Sequence, residues 1–167
     1  AGPTRKEMMN KKTMNNVIDF AVKHNIKTVD LTGGAPEMNK HFRYLVEELK
    51  NYNIHVINRC NLTILLEKSM EDLPYFFKKN SIEIIASLPC YIESNVDAQR
   101  GKGVFSKSIE ALKKLNYQGY GKLNNLPLNL VYNPQGAILP PDQNKLEKEY
   151  KIYLYEKFNI KFNNLYV

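Results

Sequence analysis

Apolar positions along the chain recur in two alternating periods. Met14, Val17, Ile18 and Ala21 fall at helical spacing, with Asn25 as a stop. Residues 27–31 read as a short strand that ends in Thr32-Gly33-Gly34. Met38, Phe42, Leu45, Val46 and Leu49 form a second helical stripe, followed by a strand over 54–57. A third helix is predicted over 69–79, with Ser69 as N-cap and Asp72 at its third position, in the manner of a capping box. Residues 82–86 are continuously apolar except for Glu83, the pattern of a strand covered on both faces. A long loop containing Gly and Asp comes next, then a helix carrying Phe105, Ile109, Leu112 and Leu115. A strand over 128–132 leads to a helix starting at about Asp142, with Leu146, Tyr150, Tyr153, Leu154 and Phe158 inward; 160–162 begin a final strand.

Strands alternating with helices in this way imply right-handed βαβ units and a parallel α/β sheet of about five strands. Periodicity leaves open whether that sheet is doubly wound or part of a barrel. The 167 residues hold no repeat, low-complexity tract or linker, so residues 1–167 read as one domain.

Composition narrows the class. Hydrophobic residues at 43% and charged residues at 25% describe a globular chain and not a disordered one. No stretch reaches the roughly 20 apolar residues of a membrane span. There is no basic-then-apolar leader, and two cysteines make no disulfide framework, so the expectation is a cytoplasmic protein. The opening Ala1-Gly2-Pro3, without an initiator methionine, points to a processed or partial chain. The net charge is +7, but the lysines are dispersed in pairs such as Lys78-Lys79 and Lys113-Lys114. Dispersed lysines describe a solvated surface, and no nucleic-acid partner is expected.

Parallel α/β folds bind ligands beyond the carboxyl ends of their strands. That rule selects four loops: 32–37, 58–63, 87–91 and 133–136. Gly33-Gly34 allows close backbone approach to a ligand, although an ordinary strand-to-helix turn needs the same residues. Cys60 and Cys90 end successive predicted strands and could hold a soft metal or metalloid on one rim; burial as small hydrophobes is the competing reading. Arg59 and Arg100, both placed in loops, could grip a carboxylate, with a surface ion pair the alternative, more so for Arg59. His24, His41 and His55 lack metal-ligand spacing, and no catalytic residue or metal ligand set is assigned.

Taken in order, the loops resemble the arsenosugar biosynthesis branch of the radical S-adenosylmethionine superfamily. Thr32-Gly33-Gly34-Ala35-Pro36-Glu37 is similar to that branch's variant of the GGE motif. The likeness continues through Arg59-Cys60-Asn61-Leu62-Thr63, Ala86-Ser87-Leu88-Pro89-Cys90-Tyr91, Asn95-Val96-Asp97, Gln99-Arg100-Gly101 and Gly103-Val104-Phe105. It extends to Leu130-Val131-Tyr132-Asn133-Pro134, Leu139-Pro140-Pro141 and Phe162-Asn163, and at the start to Gly2-Pro3, Arg5 and Glu7-Met8-Met9.

The resemblance implies a partial (β/α)6 TIM-like barrel segment, its first strand missing, with S-adenosylmethionine at the carboxyl rim. It places Gly33, Gly34, Ala35, Pro36 and Glu37 around the cofactor's methionine part, Ser87 and Arg100 on its carboxylate, and Asn133 in the same pocket. The parent enzyme would use a 4Fe–4S cluster and an electron donor protein to cleave the cofactor reductively and adenosylate a methylated arsenical, with Cys60 or Cys90 as candidate arsenic-handling thiols. The chain departs from the pattern in lacking the Cys-x-x-x-Cys-x-x-Cys cluster loop and the C-terminal cysteine-rich region, and in having Lys40 and Asn58 where Pro and Asp are expected. On that ground the chain alone is expected to be inactive. The alternatives are a cluster-free α/β binder of a small anionic metabolite, or an inactive fragment. A barrel open beside its first remaining strand is also expected to be marginally stable or to self-associate.

Overall fold

Residues 8–133 and 142–167 are described by a computed structural model. The motif pieces at Gly2-Pro3, Arg5 and Glu7, and those from Pro134 to Pro141, lie outside the described residues.

The apolar stripes become helices that bury the predicted side chains. α1 (Lys11–Lys23) starts where the Asn10 side chain accepts a hydrogen bond from the Thr13 amide, and buries Met14, Ile18 and Ala21. Asn25, just beyond it, takes a positive φ of 51°, a conformation asparagine tolerates. β1 (Thr28–Leu31), α2 (Phe42–Asn51), β2 (His55–Cys60), α3 (Leu73–Lys79) and β3 (Glu83–Ser87) follow in order. α4 (Glu93–Arg100), α5 (Val104–Gln118), β4 (Leu128–Val131), α6 (Gln143–Phe158) and β5 (Leu165–Tyr166) complete the chain.

All strand pairs are parallel, in the order β1-β2-β3-β4-β5. The fold is therefore α/β with a five-stranded parallel sheet. A doubly wound sheet reverses its strand order partway, and this one does not. Among the described residues β1 pairs only with β2 and β5 only with β4, so the sheet is open. Beside the β1 edge lies a cavity of about 410 Å³ lined by apolar side chains including Met14, Val17, Val29 and Leu31.

The register sorts side chains between the two faces. One row runs Cys60, Ala86, Leu130, Leu165 and another Leu31, Asn58, Ile84, Leu128. All but Asn58 belong to or pack against the main hydrophobic core. The rows between them carry Asp30, Ile57 and Glu83, then Arg59, Ile85 and Asn129. β2 alternates accordingly, with Val56, Asn58 and Cys60 buried and Arg59 exposed. The core is closed by Phe77, fully buried with its ring 6.3 Å from that of Phe42 and 6.4 Å from that of Phe76.

Several local expectations are corrected. The third helix begins at Leu73, not Ser69: Ser69 has φ 83°, and Pro74 sits in the first turn, where its missing N–H costs nothing. Met38 lies in a short 3₁₀ turn (Pro36–Met38) and is exposed, outside the α2 stripe. The long loop after β3 contains α4, whose only buried residue is Val96; one apolar position is too few to show a period. Arg100 is the last residue of that helix and Arg59 belongs to β2, so neither is a loop residue. The final strand is Leu165–Tyr166 and not 160–162. Ile160 and Phe162 are buried, but the backbone between them is taken up elsewhere. Asn116 Nδ2 donates to the Lys161 carbonyl at 2.8 Å, and the Lys161 amide donates to Asn116 Oδ1 at 2.8 Å.

Candidate functional site

The carboxyl ends of β1, β2 and β3 are Leu31, Cys60 and Ser87; β1 leaves into Thr32-Gly33-Gly34, β2 into Asn61 and a short 3₁₀ helix (Leu62–Leu66), and β3 into Leu88-Pro89. These exits enclose a cavity of about 510 Å³, lined by Gly33, Gly34, Cys60, Ser87 and Arg100, with Arg59 at its side. That volume is in the range of small-molecule pockets, which run to roughly 300–1,000 Å³. A Cβ added at Gly33 or Gly34 would meet no atom within 4 Å, so the space beside both glycines is open.

Arg100 enters the cavity because α4 folds back over the end of β3. One guanidinium nitrogen, Nη1, donates to the Ser87 carbonyl at 3.3 Å. Burial draws its pKa below the usual arginine value, yet a guanidinium stays cationic at neutral pH. Asp97, on the same helix, accepts from the Gly103 amide at 2.7 Å and the Phe105 amide at 2.9 Å. The carboxylate thereby ties α4 to the start of α5 through a turn in which Gly101 and Gly103 have φ of 106° and 80°.

The Phe105 and Gly103 amides hold the Asp97 carboxyl below its ordinary range. The stability it contributes is present above the ordinary aspartate pKa and is lost as pH falls through the lowered folded value. Asp97→Ala is expected to lower the thermal midpoint and loosen the turn beside Arg100, with the deficit shrinking on acidification. Thermal melts of both proteins between about pH 6 and 2 check this. An unchanged midpoint at pH 6 would contradict it.

Arg59 is already committed: its Nε donates to Asp30 Oδ1 at 3.1 Å and its Nη2 to Asp30 Oδ2 at 2.9 Å, a bidentate pair that raises its pKa. The same side of the sheet continues with His55 Nε2 at 2.8 Å from Glu83 Oε2 and Asn129 Nδ2 donating to Glu83 Oε1 at 2.8 Å. Sequence reading overlooked Asp30, Glu83 and Asn129. The signal was there: polar residues at alternate strand positions, Thr28 and Asp30, then His55 and Arg59, mark one sheet face as polar.

The other candidate residues are dispersed. Ala35 and Pro36 line the cavity beside β1 and not the one holding Arg100. Glu37 is buried, 4% exposed, and its Oε1 accepts from Asn58 Nδ2. Asn133 follows β4, exposed, and is not among the residues lining the Arg100 cavity. Cys60 is 1% exposed, and burial, with the adjacent Glu37 carboxyl, pushes its thiol well above the ordinary range. A thiol in that state is a weak nucleophile and a weak metal ligand. Cys90 is half-buried at the start of the α4 segment; its sulfur accepts from the Ile92 amide at 3.4 Å and from Asn95 Nδ2 at 3.5 Å. It does not share the cavity with Cys60.

Among the described residues no group of three or more His, Cys, Asp or Glu side chains is placed to hold a metal ion. A 4Fe–4S cluster therefore finds no ligand set there. No helix among the described residues is long and apolar enough to cross a membrane. The fold and the cavity together define a parallel α/β protein with a polar, cation-bearing pocket at the carboxyl rim of its sheet. No family model matches the chain, and no curated protein matches it.

Proposed function

We propose that the chain is a partial (β/α)6 barrel segment that forms the S-adenosylmethionine pocket of a radical enzyme. One observation carries the reading: Gly33, Gly34, Ser87 and Arg100, separated in sequence and each named by the motif resemblance, line a single cavity at the strand ends. In this reading the free edge of the Arg100 guanidinium engages the cofactor's carboxylate, with Ser87 as a second contact. The Gly33-Gly34 turn receives the amino group against bare backbone. When bound, the cofactor would supply the 5′-deoxyadenosyl group that the parent enzyme transfers to a methylated arsenical, given electrons from a donor protein. The cluster would be held by residues beyond those described, and none of the roles given to Gly33, Gly34, Ser87 and Arg100 passes through it.

A second reading rests on the same polar cavity and its cation: it takes a small anionic metabolite on Arg100. Calorimetric titration separates the two. Saturable binding of S-adenosylmethionine, competed by S-adenosylhomocysteine and not by inorganic phosphate or simple dicarboxylates, supports the first. Binding of the simple anions alone supports the second.

A further inference from the structure

The 3₁₀ turn Pro36–Met38 begins one residue after Gly33-Gly34 and sends the Glu37 side chain into the core, where it meets Asn58 of β2. Asn58 is fully buried and Glu37 is 4% exposed. Asn58 Nδ2 donates to Glu37 Oε1 at 2.6 Å. Among the described residues the remaining oxygens of the two groups, Glu37 Oε2 and Asn58 Oδ1, are both buried and neither meets a donor in hydrogen-bond geometry. Buried polar atoms are almost always paired, and two unpartnered acceptors on side chains already bonded to each other call for a donor between them.

We infer that Glu37 is a neutral carboxylic acid, joined to Asn58 in a cyclic acid–amide pair that anchors the Gly33-Gly34 wall of the cavity to β2. A proton on Oε2 donates to Asn58 Oδ1 while Asn58 Nδ2 donates to Oε1, so one proton satisfies both orphaned atoms. Exchanging the oxygen and nitrogen of the amide swaps the roles and still requires that proton. Among the described residues no cation offsets an ionised form: Glu37 is faced by the Asn58 amide, its own backbone amide and the Cys60 thiol of β2, whose hydrogen bonds weigh less than burial, and Arg59 is paired with Asp30. Burial accordingly raises the Glu37 carboxyl above its ordinary value. Glu37 is thus a positioning residue behind the cavity wall, whatever ligand the cavity takes.

The sign of the pH effect follows. With the folded pKa above the unfolded one, the stability from the pair is complete below the ordinary glutamate value and is lost as pH rises through the folded value. Glu37→Gln replaces the acid with an amide that makes the same two hydrogen bonds without a proton. Its thermal midpoint is expected to equal or exceed that of the wild type at neutral pH and to lose this pH slope. Glu37→Ala, which leaves Asn58 unpaired, should melt lower than the wild type at acid pH, with a deficit that shrinks as pH rises through the folded Glu37 pKa. Independently of any variant, the Glu37 side-chain carboxyl carbon of the wild-type chain should titrate above the usual glutamate value of about 4.3 by NMR. A Glu37→Gln protein as destabilised as Glu37→Ala, or a Glu37 titration at or below the usual value, would overturn the assignment.

Discussion

Arg100→Ala is expected to weaken binding of S-adenosylmethionine by roughly 10–100-fold, the cost of removing a charge-assisted contact worth about 1.5–3 kcal/mol. Two features make this the largest expected effect on binding. Arg59, the other guanidinium beside the cavity, is engaged by Asp30 in a bidentate pair and cannot take over without giving that up. Among the described residues Arg100 is held by a single hydrogen bond, to the Ser87 carbonyl, which leaves the rest of its fork for a carboxylate. Arg100→Lys should recover part of the loss, since an ammonium keeps the charge and not the paired geometry. Folding should be little affected, because Arg100 is the last residue of α4, exposed, and lies outside the main hydrophobic core. Calorimetric titration of the three proteins, with matched thermal melts, checks the prediction. Equal affinity for wild type and Arg100→Ala would remove Arg100 from the site.

Gly121→Ala should be the most damaging single-methyl change to stability, by about 2–4 kcal/mol. Gly121 has φ 71°, a region that costs an L-residue energy, and an added Cβ would run into the Lys161 carbonyl oxygen and the adjoining backbone. The neighbour cannot yield cheaply. Lys161 is fixed on both backbone sides by Asn116, and this clamp brings the chain into β5 beside β4. For a chain of this length the loss corresponds to roughly 5–15 °C in the thermal midpoint. Gly34→Ala, where a Cβ meets open space, is the control and should melt near the wild type. A Gly121→Ala protein that melts with the wild type would show that the clamp is soft.

Much of the scaffold was legible because burial imposes a period. The stripes at Met14–Ile18–Ala21, Phe42–Leu45–Val46–Leu49 and Phe105–Ile109–Leu112–Leu115 each became the buried side of a helix. The strand runs gave four of the five strands, and Gly33, Gly34 and Ser87 from the loops the rim rule selected line one cavity with Arg100, which lies outside those loops on α4. What escaped was set by contacts that leave no period. α4 shows a single buried residue, and β5 is positioned by the Asn116 side chain from 45 residues away. Glu37 read as a polar loop residue facing a ligand, whereas its partner is a core asparagine on β2 that no local pattern reveals. Cys60 and Cys90 both end or follow strands as expected, yet side-chain direction along a pleated strand sends Cys60 inward.

The most direct test of the account is a calorimetric titration of S-adenosylmethionine into the 167-residue chain, run beside Arg100→Ala. The account predicts saturable one-to-one binding by the wild type and a loss of roughly 10–100-fold in the variant. Heats no larger than dilution for the wild type, or binding that the variant retains in full, would contradict it.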